Sequence, residues 1–199
     1  MRKLLLATNN QGKVKEIQAL LSDLNVDLII PQQIGLDLVV EEDGKTYAEN
    51  AERKAQAYTQ ISRMLTLADD SGLEVAALGG LPGIRSARFA PIPDATDADR
   101  RTYLLGRLKG LERPWLAQFR CTVALTAPSG DAYFAEGTCS GEIIPEERGE
   151  HGFGYDPIFF ISEMGRTMAE LEMEEKNELS HRARAIKAIR PVLTKLLTD

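Results

Sequence analysis

Leu65-Thr66-Leu67-Ala68-Asp69-Asp70-Ser71-Gly72 is an apolar run that ends abruptly in two carboxylates, a hydroxyl and a glycine. It reads as a buried strand that holds polar groups on a rigid end, and its neighbours decide the fold. Leu4 to Ala7 reads as another buried strand, and Val14, Ile17, Leu20, Leu21 and Leu24 mark one face of a helix behind it. Asp27 to Ile30 is a strand stopped by Pro31. Thr46 and Glu49 form a capping box ahead of a helix face of Tyr47, Ala51, Ala55, Tyr58 and Ile61, which leads into Leu65. Strand, helix, strand, helix, strand in this order predicts an α/β fold with a partly parallel sheet.

After Gly72 the pattern changes. Gly79-Gly80-Leu81-Pro82-Gly83 is a loop, and a helix is expected from about Thr96 to Leu108 with Leu104, Leu105 and Leu108 inward. Between Ala117 and Ile143 two apolar segments flank Pro128-Ser129-Gly130-Asp131, a hairpin signature that predicts antiparallel pairing and a second lobe. Thr167 and Glu170 cap a short helix. Ser180 begins a last one, its buried face marked by Ala185, Ile186, Ile189, Leu193 and Leu196, and Pro191 is expected to kink or interrupt it. Residues 1–199 read as a single domain of two lobes.

At 43% hydrophobic and 27% charged residues, the 199-residue chain has the make-up of a soluble globular protein able to bury a core. A net charge of −6 argues against whole-molecule attraction to nucleic acid or anionic membrane, so basic sites should serve small anions. Cys121 and Cys139 lack metal-ligand spacing and fit reduced thiols of a cytoplasmic protein, although a pairing across the hairpin stays open. The apolar stretch after Met1 is too short for a signal peptide, and no window approaches a membrane span.

Five polar segments sit where chemistry is expected. Carboxylates at a strand end suit Mg²⁺ or Mn²⁺, which prefer oxygen ligands, and strand alternation gives Asp69 and Asp70 different roles. In isolation the same residues make a solvated turn. Thr8-Asn9-Asn10-Gln11-Gly12-Lys13 lies between the first strand and helix, where free amides, a glycine and a lysine cradle phosphate. The leading glycine and final hydroxyl of a Walker A loop are missing, and an Asn-rich cap with a solvated lysine is the alternative. After Leu38-Val39-Val40, one of Glu41 and Glu42 is expected to face the Asp69-Asp70 site from a separate strand while the other faces solvent; a charged surface turn is the other reading. In Gly152-Phe153-Gly154-Tyr155-Asp156-Pro157, aromatics between glycines stack on a base and Asp156 accepts from its edge, or they pack into the core. Lys176, His181 and Arg182 read as cations at the start of the last helix, where the dipole favours an anion; pairing with Glu174, Glu175 and Glu178 is the alternative.

Together these segments resemble the non-canonical purine nucleoside triphosphate pyrophosphatases, also called inosine triphosphate pyrophosphatases. The likeness rests on Thr8 to Lys13, Glu41 with Glu49-Asn50-Ala51, Ala68 to Leu73, Leu81 to Arg88, Gly152 to Phe159, and Glu174 to Arg182, in that order along nearly the whole chain. It implies an α/β fold with a mixed, twisted central sheet, flanking helices and a nucleotide cleft between two lobes. It implies a cytoplasmic, Mg²⁺-dependent homodimer that hydrolyses ITP, dITP and XTP to the monophosphate and pyrophosphate, with no nucleic-acid or membrane partner. By position, Thr8, Asn9, Asn10, Gln11, Gly12 and Lys13 would bind the phosphate end, and Glu41 and Asp70 the metal, with Asp70 as proton acceptor for the attacking water. Ser71, Phe153, Gly154, Tyr155, Asp156, Lys176, His181 and Arg182 would bind substrate, and donors such as His181 and Arg182 would favour a 6-keto purine. Pro191 departs from the family pattern. A related pyrophosphatase of pyrimidine or modified nucleotides, or a catalytically idle nucleotide sensor, remains open; Glu41, Asp70 and Lys13 argue against idleness.

Overall fold

The computed structural model describes residues 2–198. Its elements are β1 (Arg2–Leu6), α1 (Gln11–Leu20), β2 (Val26–Ile29), α2 (Tyr47–Ser62), β3 (Leu65–Val75), α3 (Asp97–Leu108), β4 (Trp115–Thr126), β5 (Ala132–Ile143), β6 (Phe159–Ile161), β7 (Arg166–Thr167), α4 (Met173–Leu179) and α5 (His181–Thr198). The strands form one sheet in the order β2-β1-β3-β4-β5-β6-β7. β1 runs parallel to β2 and β3, opposing Leu4 to Leu28 and Leu65, while β6 is antiparallel to β5 and β7. The sheet is therefore mixed, as the order of elements predicted. β4 turns back into β5 through Ala127–Asp131, closed by Ala127 N–H donating to the Asp131 carbonyl at 2.9 Å.

Two compact units divide the chain. The first takes the described residues up to Asp70, Cys121–Gly137 and those from His181 onward; the second takes Ser71–Arg120 and Thr138–Ser180. In the first, β1 is apolar and buried from Leu4 to Leu6, where both faces of the sheet are covered. Leu4 and Leu6 pack with Ile17 of α1, with Leu21 just beyond its end, and with Ala185, Ile186, Ile189 and Leu193 of α5. Leu5 and Ala7 pack on the opposite face against Ala51, Ala55 and Tyr58 of α2. The second unit has its own core, where Leu104 and Leu108 of α3 join Leu73, Trp115, Ile143 and Ile161, and the Phe119 and Phe159 rings lie 4.4 Å apart between centroids.

Several expectations need correction. Thr46 caps α2 through the Glu49 N–H, but the Glu49 carboxylate takes the Lys45 N–H at 2.6 Å, so the box closes one residue early. Ile61 is exposed, because the face through Tyr47, Ala51, Ala55 and Tyr58 continues to position 62. Glu41 and Glu42 lie on an irregular segment rather than a strand. Lys176 belongs to α4, a separate helix that the sequence did not announce; only His181 and Arg182 open α5. Pro191 does not interrupt α5. It lies on the exposed side between the buried Ile189 and Leu193, so core packing on either side holds the helix. Cys121 and Cys139 are both free thiols. No helix among the described residues is long and apolar enough to cross a membrane.

Gly137 of β5 lies directly against the backbone of α5. A β-carbon there would stand 2.2 Å from the His181 carbonyl oxygen and 2.5 Å from Ala185 N, both backbone atoms that cannot swing aside. Gly137→Ala is therefore expected to destabilise the protein by about 1–3 kcal/mol through overpacking. The denaturation midpoint should fall at unchanged slope.

Candidate functional site

Asp69 and Asp70 are consecutive residues of β3, 1% and 6% exposed, and the pleat sends them to opposite faces of the sheet. On the α1/α5 face, Asp69 Oδ2 meets Lys13 Nζ at 3.0 Å and accepts from Arg182 Nη2 at 3.0 Å and Nε at 3.2 Å. Arg182, itself 1% exposed, donates through Nη1 to Glu16. Lys13 and Glu16 stand one turn apart on α1, and Arg182 lies in the first turn of α5. Burial alone would raise the Asp69 pKa, but Lys13, Arg182 and Lys54 overcome it and hold the carboxyl well below the usual range. Cys121 Sγ lies 3.9 Å from Asp69 Oδ2, and burial together with that charge pushes its pKa up to about 12.

The α2 face is built differently. Asn50, fully buried, donates to Asp70 Oδ2 at 3.0 Å and accepts the Gly44 N–H at 2.8 Å. Gly44 must be glycine, because a β-carbon would fall 2.6 Å from Asn50 Oδ1. One turn further along α2, Lys54 Nζ lies 2.7 Å from Glu42 Oε1 and 3.9 Å from Asp70 Oδ1, and donates to the Asp69 carbonyl at 2.6 Å. Burial raises the Asp70 pKa; Lys54, Asn50 and Lys13 oppose it without winning, and Glu42 adds to it. On one face, then, two cations meet two carboxylates. On the other, Lys54 meets Asp70 and Glu42.

The loop before α1 is largely exposed. Asn10 caps the helix by accepting the Lys13 N–H at 3.1 Å, Thr8 Oγ1 accepts the Asn10 N–H at 3.2 Å, and Asn9 accepts from Gln32 at 2.8 Å. Gln11 and Gly12 open the helix, and Lys13 is drawn beneath onto Asp69 rather than solvated. Of the two glutamates, Glu41 is exposed and Glu42 carries the contact with Lys54. Ser71 is half-buried on β3, and His181 is buried at the start of α5.

Within the second unit, Asp156 Oδ2 accepts from Lys176 Nζ at 2.6 Å and from the Phe153 N–H at 3.0 Å. Lys176 Nζ also sits 5.4 Å from the centroid of the Phe153 ring. Gly154 donates its N–H to Asp97 and accepts at its carbonyl from Arg101. Tyr155 belongs to the core, its hydroxyl donating to the Ser86 carbonyl at 2.9 Å, and burial raises its pKa. Phe153, unlike Tyr155, is half-buried.

Five contributors escaped the reading of the sequence: Glu16, Asn50, Lys54, Asp97 and Arg101. A signal existed for three of them. Asn50 and Lys54 share a helical face next to Tyr47, Ala51 and Tyr58, and Glu16 lies between Val14 and Ile17, so polar groups at the margin of an apolar stripe marked the buried network. Arg182 was expected to face a base, yet its guanidinium is committed to Asp69 and Glu16.

The sequence model of the Ham1 family matches residues 4–192. A protein of Desulforamulus reducens named dITP/XTP pyrophosphatase is 47% identical over 195 residues, 98% of this chain and 96% of its own. One of the same name from Bacillus subtilis is 42% identical over 194 residues, 97% and 98%. Among solved structures, a HAM1 protein from Coxiella burnetii matches with a TM-score of 0.87 at 39% identity, covering 98% of this chain and 100% of that one. The Ham1 protein of Staphylococcus aureus gives 0.84 at 38%, covering 98% and 99%.

Two outcomes follow from the opposite environments of the aspartates. Arg182→Ala leaves two carboxylates buried and should cost about 3–5 kcal/mol near neutral pH. A carboxyl whose folded pKa is lowered stabilises the protein above the ordinary carboxylate range and loses that contribution as pH falls, so the difference between variant and wild type should narrow in acid. Asp70→Asn should do the reverse. A raised folded pKa means that ionised Asp70 weakens the fold, so in chelator-treated buffer the variant should melt higher at neutral pH and approach wild type well below the ordinary carboxylate pKa, where both folded and unfolded Asp70 are protonated.

Proposed function

The chain belongs to the Ham1 family, and from that membership and the setting of Asp70 we propose that it is a nucleoside triphosphate pyrophosphatase that hydrolyses ITP, dITP and XTP to the monophosphate and pyrophosphate. The name dITP/XTP pyrophosphatase, shared by its relatives, supports the substrate class. The observation that carries the chemistry is the uneven neutralisation of two adjacent carboxylates. Asp69 is closed off by Lys13 and Arg182, while Asp70 is buried with too little positive charge and keeps an affinity for a proton or a cation.

In this proposal water attacks the α-phosphorus, Asp70 takes its proton, the bond from the α-phosphorus to the bridging oxygen breaks, and pyrophosphate departs. A carboxylate whose proton affinity is raised by burial is a better acceptor than an exposed one. The N-terminus of α1, with the amides of Gln11 and Gly12 above Lys13, suits the phosphates. Asp70 and Glu42 are hard oxygen donors that both approach Lys54, a donor type that fits Mg²⁺, or Mn²⁺ in its place. We assign the second carboxylate to Glu42, where the motif pointed to Glu41, because Glu42 is the one turned towards Lys54. A divalent cation held there supplies charge neutralisation for a polyphosphate. Phe153 would offer the stacking surface for the base. Homodimer formation and a cytoplasmic location belong to the same proposal.

The test is pyrophosphate release from ITP, dITP, XTP, ATP, GTP and dTTP with and without Mg²⁺. Release confined to the first three and lost with chelator is expected, and Asp70→Asn should abolish it while leaving nucleotide binding. Turnover of dTTP would instead indicate a pyrimidine enzyme, and ITP binding without release a sensor.

A further inference from the structure

The Phe153 loop is held more firmly than a turn requires. Gly154 has φ +63°, in the left-handed region, and both of its backbone polar groups end on charged side chains of α3. Its N–H donates to Asp97 Oδ2 at 2.7 Å, and its carbonyl accepts from Arg101 Nη1 at 2.8 Å. Asp97 and Arg101 are one turn apart, so a single helix face presents an acceptor and a donor to one residue. Each is braced in turn: Asp97 pairs with Arg100, and Arg101 makes a two-pronged bond to Glu147 with both distances 2.9 Å. On the other side of Phe153, its N–H is taken by Asp156, and a β-carbon on Gly152 would fall 2.1 Å from that carboxylate. The backbone flanking the Phe153 ring is thereby fixed in orientation.

We infer that Asp97 and Arg101 are positioning residues for base recognition: by gripping Gly154 they preorganise the Phe153 ring as a platform for the base of the nucleotide. The inference rests on the proposed reading that this loop meets the base. Neither side chain need touch substrate. Their contribution is that Phe153 loses little conformational freedom on binding, which strengthens affinity for anything that stacks on it and leaves affinity for a bare polyphosphate alone.

Calorimetric binding of ITP and of inorganic tripolyphosphate, which has no base, separates this from a structural role. Asp97→Ala and, independently, Arg101→Ala should weaken ITP binding roughly ten- to a hundredfold, the worth of a hydrogen bond to a charged group, and shift tripolyphosphate by no more than about twofold. KM for ITP should rise with kcat retained, and Asp97→Asn, whose side-chain oxygen can still accept the Gly154 N–H, should recover most of the loss. Equal weakening of both ligands, or unchanged ITP binding in a folded variant, would overturn the inference. Wild-type protein that binds ITP no better than tripolyphosphate would remove the base-reading premise itself. Should Asp97→Ala not fold, Arg101→Ala carries the same comparison.

Discussion

A guanidinium shut away from water between two carboxylates is the constraint around which the first unit is arranged. Desolvating each of these ions costs several kcal/mol, and the arrangement is tolerable because Arg182 meets Asp69 with two donors and Glu16 with a third. The three groups come from β3, α1 and α5, so satisfying them fixes these elements against one another. Lys13 adds a second cation to Asp69 and is held there in turn. Once Asp69 points into this cluster, the pleat leaves Asp70 no choice of face.

That dependence joins stability to chemistry. The fold is secured by the carboxylate that Lys13 and Arg182 neutralise, and reactivity is left to its neighbour, whose ionised form burial disfavours. Asp70 is oriented by Asn50 and approached by Lys54, yet burial and Glu42 keep its ionised form costly. Such local unfavourable placement is the usual mark of a functional group carried by a stable frame. The loop around Phe153 follows a similar logic in the second unit, where buried or braced charges on α3 and α4 hold a backbone that would otherwise be free to move.

The fold was legible wherever apolar spacing spoke for itself. β1, α1, α2, α3, the β4–β5 hairpin and the buried face of α5 all follow from periodicity and turn residues. Failures occurred where a local rule met a tertiary one. Pro191 should break a helix, but its neighbours are anchored in the core. The segment carrying Glu41 and Glu42 looks like a strand, but the Gly44–Asn50 contact draws it into an irregular path. At the site, the residues of Thr8 to Lys13 and Asp69-Asp70 stood out as motifs, whereas Asn50, Lys54 and Glu16 did not. Their roles depend on which partner the fold brings near, and that information lies as far as 166 residues away in the chain.

The separation between Glu16 and Arg182 also bears on how the chain matures. The first unit is assembled from three stretches, the last of which is α5, so a ribosome releases Glu16 and Asp69 long before it supplies the Arg182 guanidinium that they share. Until then both carboxylates are better hydrated than buried, and the sheet around them cannot close its α1 face. The second unit has every one of its residues in hand by Ser180. Vectorial synthesis therefore makes docking of α5 the late, long-range step, in which apolar packing and charge neutralisation arrive together.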